Sequence, residues 1–214
     1  LKTCYYIIYK EEDVMKYISR IIDKEIEEKL QVTGAILIKG CKWCGKTTTA
    51  KKFSKSVLEM QNPDTEDNYK SIANTKPSLL LEGDKPRLID EWQIAPKLWN
   101  AVRYSVDKIN KPGQYILTGS ATPYKDDTMH PGVGRFSIVK MKPMSLYESG
   151  DSNGKISLND LFLHKAKIDG ITTDLDYEKI AYLICRGGWP SSIDLNITTA
   201  LKISQSYIDM LVES

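Results

Sequence analysis

The chain has 214 residues, 41% apolar and 27% charged, with 13 Gly and 9 Pro, which suits one ordinary domain or one with a small appendage and excludes collagen-like and low-complexity classes. Thirty Lys and Arg against 28 Asp and Glu leave a formal charge of +2, without the basic footprint of a dedicated duplex binder, so nucleic acid stays an open partner rather than an indicated one. Four Cys are too few to staple a secreted domain, no leader pattern opens the chain, and the longest apolar runs fall far below the ~18 residues of a membrane helix, so a soluble, cytoplasmic protein is expected.

In chain order, Val14, Ile18, Ile22, Ile26 and Leu30 recur every four residues among charges. That is the apolar stripe of an amphipathic helix, and residues 1–29 read as an N-terminal segment and entering helix. Gly34 punctuates its end. Residues 35–38, Ala-Ile-Leu-Ile, form a continuous apolar run, the pattern of a strand buried on both faces of a parallel sheet. A Gly-bounded loop over 40–47 follows, and 48–58 reads as helix. Residues 61–76 are polar and read as a surface connection with one marginal helix. Leu79, Leu80 and Leu81 predict a second strand, Lys85-Pro86 a turn, and 87–90 a third strand ending in acid.

Leu98, Val102, Val106 and Ile109 keep helical spacing until Lys111-Pro112-Gly113 stops it. Residues 115–117 predict a fourth strand, 122–134 a loop and 136–141 a fifth strand. Strands alternating with helices predict an α/β fold: a five-stranded parallel sheet with helices on both faces. Past Pro143 the pattern is helical only, over 158–163, 177–185 and 201–212. This predicts a core over 30–145 and a small helical lid over 146–214. The chain opens on Leu1 and stops at Ser214 inside a helical pattern, which predicts a fragment of a longer protein.

Gly40-Cys41-Lys42-Trp43-Cys44-Gly45-Lys46-Thr47 is the pattern G-x-x-x-x-G-K-[ST], between a buried strand and a helix as that motif requires. Glycines let backbone N–H groups curl around phosphate oxygens, and the following helix, from Thr48 onward, offers them its positive end. Lys46 would reach the β- and γ-phosphates and the Thr47 hydroxyl would ligate Mg²⁺. Leu88-Ile89-Asp90-Glu91 supplies the complement. Asp90, at a strand end, would hold the metal through water, and Glu91 would polarise the attacking water.

With both motifs in place the chain resembles P-loop ATPases of the AAA superfamily, over most of residues 30–195. Tyr115-Ile116-Leu117-Thr118-Gly119-Ser120 looks like the sensor-1 strand, which implies that Ser120, or else Thr118, contacts the γ-phosphate or the attacking water. Gly134-Arg135-Phe136 is similar to the arginine-finger box, which implies a homo-oligomer in which Arg135 stabilises charge in a neighbouring subunit. Arg186-Gly187-Gly188-Trp189-Pro190 departs from the sensor-2 pattern and looks like the Gly-x-Pro lid of the STAND-type ATPases, with Pro190 packed at bound nucleotide. Asp90-Glu91-Trp92-Gln93 is reminiscent of prokaryotic ATPases that carry a C-terminal nuclease-like domain, which this chain would then lack.

Other residues read more plainly. Cys41-x-x-Cys44 invites a zinc or redox reading, but no second close pair completes it, and the variable positions of such a loop accept Cys as a small apolar residue. His130 reads as a surface loop residue and His164 as packing. Trp43 and Trp189 stand out among four Trp because both lie in the motifs above. Arg20 reads either as a shaper of the adenine end of the pocket or as a solvated helix residue, and Lys51, Lys52 and Lys55 as a wet helix face. The expectation is Mg²⁺-dependent binding and hydrolysis of ATP. A regulatory module that holds ATP or ADP with negligible turnover is the alternative, and a P-loop kinase a weaker third.

Overall fold

The computed structural model describes residues 17–119 and 132–213. Five strands form one sheet: β1 (Ala35–Lys39), β2 (Ser56–Glu59), β3 (Arg87–Asp90), β4 (Tyr115–Gly119) and β5 (Phe136–Lys140). Their spatial order is β2-β3-β4-β1-β5, and all four neighbouring pairs run parallel. Parallel neighbours need crossovers, and helices supply them: α1 (Asp23–Val32) enters the sheet, α2 (Lys46–Phe53) follows β1, α3 (Glu66–Thr75) follows β2, and α4 (Lys97–Ile109) follows β3.

Side-chain alternation divides the sheet into two packed faces. Ala35, Leu37, Ile89, Tyr115 and Leu117 join Leu98, Trp99 and Val102 of α4 in one core cluster. Ile36, Ile38, Leu88, Ile116 and Val139 join Ile26 of α1 and Ala50 of α2 in the other. A helix layer on each face confirms the predicted α/β architecture. Gly34 is required by a close approach, since a Cβ there would lie 2.3 Å from Val106 Cγ1 of α4.

Two expected elements differ. Residues 79–81 are not a strand but belong to a 3-10 turn, Pro77–Leu81, whose Leu80 and Leu81 are buried in the α4-side core. The second strand is β2 instead, and the helix predicted over 48–58 stops at Phe53. Ser54 turns extended, and Ser56–Glu59 pairs with β3 in register from Ser56 opposite Arg87 to Glu59 opposite Asp90. The marginal helix within 61–76 forms as α3. Beyond β5 the chain is helical: α5 (Leu158–Phe162), α6 (Tyr177–Arg186) and α7 (Ile197–Glu213). No helix among the described residues is long and apolar enough to cross a membrane.

Candidate functional site

β1, β3 and β4 run parallel, so their carboxyl ends lie along one edge of the sheet, and the chain leaves β1 there through the 40–47 loop. The loop turns into α2 at Gly45, whose φ of +96° is a left-handed conformation that glycine adopts without strain. Trp43 also has positive φ, at +64°, and stands half exposed at the loop tip. Lys46 is buried, and its Nζ donates to Gly40 O at 3.1 Å and Cys41 O at 2.9 Å, so the loop's own carbonyls hold the ammonium inside the curl.

Alternation decides where Asp90 points. Leu88 faces the α1/α2 layer and Ile89 the other, so Asp90 falls on the same side as α2. The β3–β4 register sets Leu88 opposite Ile116 and Ile89 opposite Leu117, which makes Asp90 and Thr118 the next pair. Thr47 Oγ1 donates to Asp90 Oδ1 at 2.9 Å, and Thr118 Oγ1 donates to the same oxygen. The Thr118 hydroxyl also accepts from Glu91 N at 3.2 Å. Thr118 therefore organises the acidic pair from within the sheet. Glu91 leaves the strand in a left-handed conformation, φ +54°, and its carboxylate accepts from Gln93 Nε2.

Around this edge opens a cavity of about 990 Å³, walled by Lys42, Trp43, Gly45, Lys46, Thr47 and Thr48 of the loop and helix, by Glu91 and Gln93, and by Pro190 and Ile203 of the helical region. Pro190 is brought over the loop: its Cγ would lie 3.5 Å from a Cβ on Gly45. The approach depends on Gly188, where a Cβ would sit 2.1 Å from Met144 O, and on the Met144 N–H donating to Gly188 O at 2.7 Å. Tyr207 of α7 packs between Trp43 and Trp189, with ring centroids 5.8 and 4.1 Å away.

Arg20 is neither solvated nor helical. It precedes α1, is buried, and donates to Cys44 O at 2.9 Å, Lys142 O at 2.8 Å and Glu148 Oε1 at 2.9 Å. It thus braces the loop against the start of the helical region. Burial raises the Glu148 carboxyl, but N–H groups of Ser145 and Ile21 and the Arg20 guanidinium outweigh it and hold the group below the usual carboxylate range. Burial, with Cys41 beside it, pushes the Cys44 thiol up to about 11, so this side chain packs as a small apolar group at neutral pH. Tyr17, which lines the cavity, donates to Asp23 Oδ1 at 2.7 Å, and Lys52 pairs with the same carboxylate at 2.8 Å.

Of the residues singled out in the sequence, Lys46, Thr47, Glu91 and Pro190 line this cavity, and Asp90 is joined to it through its hydrogen bond with Thr47. Ser120 and His130 lie outside the described residues. Arg135 stands elsewhere. It immediately precedes β5, whose first residue pairs with the first residue of β1, at the amino edge of the sheet opposite the loop. Its Nε donates to Asp107 Oδ1 at 2.7 Å. Arg186 is buried in an ion pair with Asp151 at 2.7 Å. Sequence reading missed Thr118 as the partner of both acidic residues, Gln93, Glu148 and Tyr207, because each acts through a contact distant in the chain or through a side-chain direction that no motif encodes.

Comparison with known proteins agrees with this architecture. The family model AAA_14, described as an AAA domain, matches residues 32–150. Uncharacterized protein Rv2008c of Mycobacterium tuberculosis and Uncharacterized protein Mb2031c of Mycobacterium bovis are each 29% identical over 119 residues, covering 55% of this chain and 27% of theirs. The chain thus matches about a quarter of the length of these relatives. Among solved structures, the Walker-type ATPase PABY2304 of Pyrococcus abyssi superposes with a TM-score of 0.55 at 14% identity, over 92% of this chain and 74% of that one. At that identity the likeness concerns the fold.

Proposed function

The chain belongs to the AAA_14 family of AAA domains, and from that premise we propose that it binds ATP with Mg²⁺ and hydrolyses it, coupling nucleotide state to the position of the helical lid over residues 146–214. The observation that carries the reading is the convergence of Lys46, Thr47 and Glu91 on one cavity roofed by Pro190, with Asp90 held by the Thr47 hydroxyl. Lys46 would exchange the carbonyls of Gly40 and Cys41 for phosphate oxygens, and the loop N–H groups and the start of α2 would cradle the same anion.

The metal site rests on donor chemistry. Thr47 Oγ1 and Asp90 Oδ1, 2.9 Å apart, are hard oxygen donors of the kind Mg²⁺ takes beside phosphates. Bound there, the ion would neutralise charge on the β- and γ-oxygens. Glu91 would accept a proton from the attacking water, while the water oxygen bonds to the γ-phosphorus and the bond to the β-bridging oxygen breaks. Ser120 is proposed to sense the γ-phosphate, and Arg135 to complete the site of a neighbouring copy.

The test is phosphate release with saturating MgATP, beside Glu91→Gln and Lys46→Ala. Wild type is expected to turn over, and Glu91→Gln to lose at least about a hundredfold in kcat while still binding nucleotide. Lys46→Ala should bind ATP about ten- to a hundredfold more weakly, the worth of a charge-assisted contact. Unchanged ATP affinity in Lys46→Ala would sink the reading. A second reading, a regulatory switch with negligible turnover, is favoured by one observation: Arg186, the arginine nearest the lid motif, is consumed by Asp151. Bound nucleotide without turnover in wild type would decide for it.

A further inference from the structure

We propose that Gln93 is a positioning residue for Glu91, its side-chain amide fixing the Glu91 carboxylate at the cavity wall; the proposal rests on the hydrolytic reading above. Glu91 follows β3 in a left-handed backbone conformation, φ +54° and ψ +49°. Its N–H is held by Thr118 Oγ1. The main chain is therefore fixed, but a glutamate side chain still has several rotamers, and a general base must keep one of them. Gln93, two residues on in the 3-10 turn Trp92–Ile94, donates Nε2 to Glu91 Oε2. Both side chains line the cavity while so joined. The bond thus holds the carboxylate at the site rather than withdrawing it.

The amide can have only one orientation in this arrangement. A carboxylate solely accepts, so Gln93 must present its NH₂ group to Glu91, and its carbonyl must turn inward. There Gln93 Oε1 is buried without a hydrogen-bond partner among the described residues, as is Trp92 Nε1. An unmade hydrogen bond on a buried acceptor is costly, and such costs persist where the surrounding structure gains something else by them. Gly119, at the end of β4, makes the placement sterically possible. A Cβ there would lie 2.5 Å from Gln93 Oε1 and 3.1 Å from Trp92 Nε1. The strand beside the acidic pair is thus cut back at the point where the glutamine rests.

The test compares wild type, Gln93→Leu, Gly119→Ala, Glu91→Gln and the double variant Glu91→Gln/Gln93→Leu by steady-state phosphate release and by ATP binding. Gln93→Leu is expected to lower kcat about ten- to a hundredfold, the usual effect of a misplaced catalytic group, with the Kd for ATP within about twofold of wild type. In the Glu91→Gln background the same substitution should change kcat little, because the residue acts through Glu91. Gly119→Ala should reproduce the loss in kcat by displacing the amide. Turnover of Gln93→Leu at the wild-type rate, beside an inactive Glu91→Gln, overturns the role of Gln93 and leaves the hydrolytic reading standing. An equal loss in both backgrounds also overturns it, since that marks an effect independent of Glu91. A wild type with no turnover overturns both.

Discussion

At the scale of single residues, the region around the site is held by side chains far apart in sequence. Arg20 meets Glu148 in a buried ion pair whose side chains are 5% and 7% exposed, and the same guanidinium reaches Cys44 O of the loop. Leaving one partner of such a pair uncompensated costs about 3 kcal/mol or more. Glu148→Gln should therefore lower stability by roughly that amount near neutral pH, read from urea midpoints. The Glu148 carboxyl titrates lower in the folded chain than in the unfolded one, so its stabilisation is complete above the unfolded value of about 4.3 and is lost as pH falls through the lower, folded value. Over that acid range the wild type should lose stability more steeply than Glu148→Gln.

Among the elements, α7 has the most direct line to the loop. Tyr207 bridges Trp43 at the loop tip and Trp189 beside Pro190, so nucleotide that moves the 40–47 loop disturbs a contact made by a helix more than 150 positions along the chain. MgATP is expected to change tryptophan emission, and Trp43→Phe or Tyr207→Ala to remove most of that change. An unaltered spectrum on binding would show that loop and helix are not coupled through these rings. The two misread elements have simpler causes. β2 is an edge strand with only Leu58 buried, so it lacks the continuous apolar signal of β1 and blends into the preceding helix. Leu79-Leu80-Leu81 carries a strand's composition, but it follows Pro77 in a 3-10 turn, with Leu80 and Leu81 packed in the α4-side core and Leu79 exposed.

For the whole molecule, the distribution of arginines matters most. Arg20 and Arg186 are engaged in buried ion pairs, and Arg135 stands at the amino edge of the sheet, held by Asp107. If Arg135 serves a neighbouring copy, specific activity should rise with protein concentration, and Arg135→Ala should lose about a thousandfold in kcat. Mixing Arg135→Ala with Glu91→Gln should then restore turnover, because the second variant supplies the arginine and the first the base. No recovery on mixing, with each variant inactive alone, would count against Arg135 acting in a neighbouring copy, and Arg135→Ala turning over at the wild-type rate would place Arg135 outside the reaction.

The sequence by itself determined the α/β class and pointed to the motif residues of the candidate site. A continuous apolar run, a Gly-bounded loop and an acid-ended strand each carry their meaning locally, through strand burial and through the backbone freedom that a phosphate-cradling turn demands. Only the tertiary structure decided the rest. Strand order set β4 between β1 and β3 and so made Thr118 the partner of Asp90 and Glu91. The close backbone contact of Gly188 on Met144 brought Pro190 over the loop. The approach of β4 to the turn after β3 put Gly119 against Gln93. These pairings join segments tens of residues apart, and their energies come from packing and from satisfying buried polar groups, terms that exist only once the chain has closed on itself.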